Sequence, residues 1–143
     1  MKKAPTHRLA DRVLWALGRS SQHAQRLVRQ HMTQAGVRTQ HYHVLASLAD
    51  DGEAAQATLA DRIGFDRSDL VTLLDELEEL KLLARRVDPA DRRRKIVAIT
   101  PAGEKQLDAM DQLIYAAEKD LLEPLTASER KTLLALLRRL SAD

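Results

Sequence analysis

The sequence predicts a mainly α-helical fold that carries one small β-hairpin, and three observations support this reading. Ala and Leu recur at helical rather than alternating intervals along most of the 143 residues, and aromatic side chains are few. Near the middle of the chain, two short helical patterns meet at Gly64 and Phe65. Just beyond them the period changes from helical to extended on both sides of Asp88-Pro89. A chain of this length suits one domain, large enough to bury roughly 68 to 70% of the surface its unfolded form exposes.

The first helix is expected from His7 to Gln34, where Leu9, Val13, Ala16, Leu17, Ala24, Leu27, Val28 and His31 build one apolar stripe before Ala35 and Gly36 end it. Thr39 is a candidate N-cap for a second helix that turns Tyr42, Leu45, Leu48 and Ala49 inward until Asp50, Asp51 and Gly52 stop it. A short helix over Gln56–Ile63 closes on Gly64, where a left-handed residue favours glycine. Asp66 is the expected N-cap of the next helix, with Asp69 placed for a capping box and Leu70, Leu73, Leu74, Leu77 and Leu80 forming the buried stripe. Helix, tight turn and helix thus follow one another.

Residues 82–87 and 95–99 then read as two strands joined through Asp88-Pro89-Ala90-Asp91, with basic residues concentrated at and beside the tip. Thr100 followed by Pro101 is an N-cap with proline at the first helical position. The helix it opens carries Leu107, Met110, Ile114, Ala117 and Leu121 in the rhythm of a coiled-coil seam, and Pro124 ends it. Thr126 and Glu129 form a capping box for a last helix, whose Leu133, Leu134, Leu136, Leu137 and Leu140 are too apolar to be left in water. Residues 1–143 are read as a single domain, with long terminal helices over 7–35 and 101–141 around a helix-turn-helix and hairpin region over 39–100.

Composition narrows the function classes. The absence of cysteine excludes disulfides and thiolate metal sites, and no apolar leader or membrane-length run occurs, so a cytoplasmic location is expected. No cofactor is expected. His41 and His43, two apart on a helix, fall on opposite faces and are not positioned to share a metal. An enzyme is not expected either, because no nucleophile elbow, phosphate loop or paired metal motif is present. Charge is more informative by position than in total. Arg85, Arg86, Arg92, Arg93, Arg94 and Lys95 face only Asp88 and Asp91 within their stretch, six positive against two negative, in a chain whose formal net charge is +2. Such a concentration is the footprint of a local phosphate-contacting element.

A second helix of a helix-turn-helix can enter a major groove while an arginine-tipped ribbon reaches the adjacent minor groove. On the exposed face of that helix Arg67, Ser68, Thr72 and Asp75 are the residues expected toward the bases; Asp75 either accepts from a cytosine amino group or is simply solvated. Short helix pairs and basic turns taken singly are common in proteins of many functions. Their order here, with Asp-Pro and three consecutive arginines at the hairpin tip, has few other uses.

These residues resemble the multiple antibiotic resistance regulator (MarR) family of bacterial transcription factors. Leu59-Ala60-Asp61-Arg62-Ile63-Gly64 followed by Asp66-Arg67-Ser68 looks like its helix-turn-helix. Asp91, Arg93, Ile99 and Thr100 fit the family's wing signature, with Ile where Leu is usual. The resemblance implies that Arg93 enters the minor groove, that Asp91 orients its guanidinium and neighbouring backbone, and that Arg92 and Arg94 serve phosphates. Where many members carry Thr-Arg in mid recognition helix this chain has Val71-Thr72, with Asp69, Asp75 and Glu76 adding acidity, so an operator preference does not transfer.

The helices over 7–35 and 101–141, which flank a winged helix-turn-helix DNA-binding region over 39–100, carry more apolar surface than one subunit needs; they are read as dimerisation helices of a homodimer on a pseudo-palindromic DNA operator, the alternative being an intramolecular bundle. The resemblance further implies repression relieved by a small aromatic or phenolic effector. Trp15, His41, Tyr42, His43 and Arg67 are the candidates for the effector pocket; Trp15 and the two histidines either line it or only pack. Without cysteine, the family's peroxide-sensing chemistry has no residue to act on. The competing reading keeps the winged fold as a protein-interaction adaptor without DNA binding, but leaves the arginine cluster without a role.

Overall fold

Ten elements follow one another in this computed structural model, which describes residues 6–141: α1 (His7–Ala10), α2 (Val13–Gln34), α3 (Thr39–Asp51), β1 (Ala54–Ala55), α4 (Gln56–Ile63), α5 (Arg67–Glu79), β2 (Leu83–Val87), β3 (Lys95–Ile99), α6 (Pro101–Leu122) and α7 (Ala127–Ser141). They form two compact units. One is the continuous stretch Met32–Leu113; the other joins the chain up to His31 with the chain from Ile114 onward.

Within the Met32–Leu113 unit, α4 and α5 form the helix-turn-helix. Gly64 ends α4 with φ 68° and ψ 27°, the left-handed conformation the sequence predicts there. Leu70, Leu73, Leu74 and Leu77 of α5 are buried with Leu45 and Leu48 of α3 and Leu59 of α4. Strands β2 and β3 pair antiparallel from Leu83 opposite Ile99 to Val87 opposite Lys95. The two-residue strand β1 adds to the other edge of β3, giving the order β1-β3-β2. Two alanines carry no periodicity of their own, so β1 is a strand the sequence reading missed. Thr100 caps α6 as expected, its Oγ1 accepting the Gly103 N–H at 3.0 Å.

In the second unit, Thr126 and Glu129 complete the expected capping box. The Glu129 carboxylate accepts the Thr126 N–H at 2.9 Å, and the Thr126 hydroxyl accepts the Glu129 N–H at 3.2 Å. His31 and Asp120 meet at 3.0 Å.

Several local expectations are corrected. The first helix is not continuous from His7 to Gln34. The Arg12 N–H bonds back only three residues to Leu9 O, and a new helix begins when Ala16 N–H bonds Arg12 O. Much of its expected buried stripe lies on the chain's surface: Leu9, Val13 and Leu17 are exposed. Arg38 rather than Thr39 is the N-cap of α3, because His41 Nδ1 reaches back to accept the Arg38 N–H at 3.2 Å. Val44 and Ser47 are buried on α3, whereas Ala49 is exposed. Asp66 takes the N-cap position of α5 but makes no side-chain cap bond, and the box with Asp69 does not form. Leu80 is 51% exposed because α5 stops there. Lys81 adopts φ 62° and directs Leu82 N–H to Leu77 O and its own N–H to Glu78 O, a Schellman closure.

Candidate nucleic-acid interface

The wing tip is organised by two carboxylates. Asp88 Oδ1 accepts the Ala90 N–H at 2.9 Å, and the Asp88 N–H donates to Arg94 O at 2.9 Å, closing the loop at its base. Asp91 Oδ1 accepts both the Arg93 backbone N–H at 3.0 Å and the Arg93 Nε–H at 3.3 Å. One acid therefore fixes both the turn and the root of the arginine. The Arg93 side chain is 92% exposed. Arg92 and Arg94 flank it in the exposed tip.

A groove of about 590 Å³ runs between the wing and α5, and its lining includes Gln56, Arg67, Val71, Asp75, Arg85, Arg93, Arg94 and Lys95. Of the residues expected toward DNA, the structure therefore brings Arg67 and Asp75 together with Arg93 and Arg94. Ser68 and Thr72 are exposed on α5; Ser68 Oγ donates to Asp66 Oδ2 and Thr72 Oγ1 to Ser68 O, each at 3.4 Å.

The basic stretch is not a single footprint. Arg85 is largely buried, with its guanidinium donating to Asp75 at 2.6 Å and to both oxygens of Glu78 at 3.1 and 3.2 Å. Arg86 forms a two-point pair with Glu53 at 2.6 and 2.7 Å. Both arginines brace the wing base against other elements, so the outward charge resides in residues 92–95. The sequence reading missed this because the acids that engage Arg85 and Arg86 lie 7 to 33 residues away.

The same pairing tames α5, which carries Asp69, Asp75, Glu76, Glu78 and Glu79 against a lone Arg67. Arg85 answers two of these acids. Arg38 answers a third: its Nη2 donates to Glu76 Oε1 at 2.7 Å and Oε2 at 2.6 Å. Hydrogen bonds from Arg38, then from His41, hold the Glu76 carboxyl below the ordinary glutamate value. Arg85 does the same to Glu78, and Arg86 to Glu53.

The effector candidates are dispersed. His41 is buried, with both ring nitrogens engaged: Nε2 meets Glu76 Oε2 at 2.6 Å, and Nδ1 accepts from Arg38. The Tyr42 hydroxyl donates to Asp111 at 2.6 Å. His43 is exposed and stands edge-on to Phe65 with ring centroids 5.8 Å apart. Arg67 lines the wing groove. Trp15 belongs to the other compact unit, on α2 beside Arg19, His23 and Arg26.

Gly103 is a determinant to which the sequence reading gave no role. A β-carbon there would lie 2.0 Å from Leu82 O and 2.7 Å from Ile99 Cγ1, so the start of α6 rests directly on the backbone at the wing base.

Comparison with known proteins supplies the family. The MarR family model matches residues 35–94, which hold the helix-turn-helix and most of the wing. A Thauera aromatica protein described as a candidate transcriptional regulator of the hcr operon is 35% identical over 108 residues, 76% of this chain. The chain spans 65% of that relative's length. Among solved structures, CouR of Rhodococcus jostii RHA1, as a transcriptional repressor bound to a 23-mer DNA duplex, superposes with a TM-score of 0.86 at 25% identity, covering 98% of this chain and 99% of CouR. BpsR of Bordetella bronchiseptica, whose DNA binding is regulated by 6-hydroxynicotinic acid, gives a TM-score of 0.81 at 26% identity, with 98% and 99% covered. Residues 35–94 thus match the MarR family, and the helix-turn-helix with its three-stranded wing sheet gives the chain the winged helix-turn-helix fold of that family's regulators.

Proposed function

We propose that the protein is a sequence-specific regulator that binds duplex DNA as a homodimer and represses transcription until a small aromatic or phenolic effector releases it. One observation carries the proposal: the arginine-bearing wing tip and the exposed face of α5 border the same cationic groove. In this reading Arg67, Ser68 and Thr72 face the major groove, and Asp75 offers the oxygen that Arg85 leaves unoccupied. Arg93, oriented by Asp91, enters the minor groove, and Arg92 and Arg94 contact phosphates. Residues 39–100 are the DNA-binding region.

Residues 7–35 and 101–141 supply the dimer. Val13 is 74% exposed, Leu14 84% and Leu140 65%, and Leu134, Leu136 and Leu137 are exposed on the same helix as Leu140; a second copy is the occupant that covers them. Pairing sets two recognition helices about 34 to 36 Å apart, one turn of duplex. The ligand-regulated relative BpsR supports an effector, for which Tyr42, His43 and Arg67 are proposed contacts and His41 acts from within the fold.

A salt titration of binding to duplex DNA tests the reading. The logarithmic slope is expected to be steep and negative, and Arg93→Ala is expected to make it shallower by about 0.9, since a cation in the minor groove releases about one counterion. Negligible DNA affinity at about 50 mM salt, or a monomer at micromolar concentration, would overturn it; the first outcome would favour the adaptor reading.

A further inference from the structure

The edge of α5 that faces the wing is narrower than its exposed face. Arg67, Val71 and Asp75 follow one another at four-residue intervals, a single row along the helix, and all three line the groove shared with Arg93, Arg94 and Lys95 of the wing. Thr72 borders a different groove, beside Arg38, Gln40 and Phe65, and gives its hydroxyl proton to Ser68 O within the helix. Arg67 and Asp75 carry charge, and Asp75 is held at 2.6 Å by Arg85. Val71 between them is 41% exposed. Among the described residues that line this groove, it is the one exposed branched aliphatic side chain.

The core does not account for Val71, since α5 buries Leu70, Leu73, Leu74 and Leu77 instead. A valine side chain neither donates nor accepts a hydrogen bond. Of the groups that base pairs present in a major groove, it complements only the 5-methyl of thymine. β-Branching holds valine in one rotamer within a helix, so its methyl groups are already fixed where a base would meet them. Four residues advance about 6 Å along a helix, against about 3.4 Å per base pair, so Arg67 and Asp75 address other base pairs than Val71 does. Val71-Thr72 is also where this chain departs from the Thr-Arg of many family members, so the contact is this chain's own.

We propose that Val71 is a specificity-determining residue, selecting thymine at one position of each DNA half-site through contact with its 5-methyl group. The proposal rests on the regulator reading above and adds a base-reading residue to it. Cytosine at that position sets an amino donor against an apolar side chain, with no acceptor to replace the water it loses. Uracil loses only the methyl contact.

The full chain selects duplexes from a random pool, and each thymine of the enriched sequence is then replaced in turn by deoxyuridine, which removes one methyl group and no hydrogen bond. Deoxyuridine at one position per half-site is expected to weaken binding about fourfold, the effect of one buried methyl group, and deoxycytidine there is expected to weaken it further. In Val71→Ala the difference between thymine and uracil at that position is expected to disappear. Alanine at this exposed helical position is expected to leave the melting temperature at or above that of the parent, so the loss reports the contact and not the fold. Binding indifferent to every thymine methyl, or a methyl dependence undiminished in Val71→Ala, would overturn the proposal while leaving the regulator reading intact. A parent chain that enriches no duplex at all would overturn the regulator reading, and this proposal with it.

Discussion

Replacing Gly103 with alanine should loosen the wing at its base. The added carbon would sit 2.0 Å from Leu82 O, and the pair must open by about 1 Å to reach even the 3.0 Å limit of real contacts. Leu82 O is not a flexible side-chain end. It accepts the Thr100 N–H at 3.1 Å, while Thr100 Oγ1 donates to Lys81 O at 2.8 Å, and both bonds lie in the path of the shift. Overpacking costs about 1 to 3 kcal/mol. The two strained hydrogen bonds add about 1 kcal/mol each. The gain of alanine over glycine in a helix returns about 1 kcal/mol. The net is a loss of about 2 to 4 kcal/mol, a fall in melting temperature of about 5 to 15 °C for a chain of this size. Thermal unfolding of parent and variant by circular dichroism measures it. A variant that melts at or above the parent would refute the reasoning, because helix propensity would then outweigh the close approach.

Two further outcomes follow from the ion pairs. Arg85→Gln leaves Asp75 and Glu78 unanswered between wing and recognition helix; DNA affinity should fall about tenfold in a binding titration and recover when both acids are also neutralised, whereas a direct phosphate contact would show no such recovery. The second concerns pH. Arginine partners, with His41 at Glu76, hold Glu53, Glu76 and Glu78 below the ordinary glutamate value of 4.5, and the Thr126 backbone N–H does so for Glu129. A carboxyl depressed in the folded state stabilises fully above its unfolded value, and the contribution is lost as pH falls through the folded one. Urea midpoints should therefore hold level from neutral pH down to about 5 and decline below about 4.5, with a shallower decline in Glu76→Gln.

Much of the architecture was legible because its signals are local. Gly64 ends α4, Thr100-Pro101 opens α6, and Thr126 with Glu129 opens α7, each through bonds that span at most a few residues. The wing follows from two extended runs on either side of an Asp-Pro turn. The failures were also local in form. His41 took the role expected near Thr39, and Asp66 left its cap unmade, since several polar residues at a helix start compete and only packing chooses among them. Strand β1 exists because β3 offers an open edge, which two alanines do not announce.

The sequence by itself determined the helix-turn-helix, the wing and the arginine cluster, because capping, turn formation and apolar periodicity act within a turn or two of the chain. Only the tertiary structure decided which charges remain available. Arg85 and Arg86 are absorbed by Asp75, Glu78 and Glu53, Glu76 is claimed by Arg38 and His41, and Arg93 is left outward. Coulombic pairing depends on distance in space, and the partners of Arg38 and Arg86 lie more than thirty residues away along the chain.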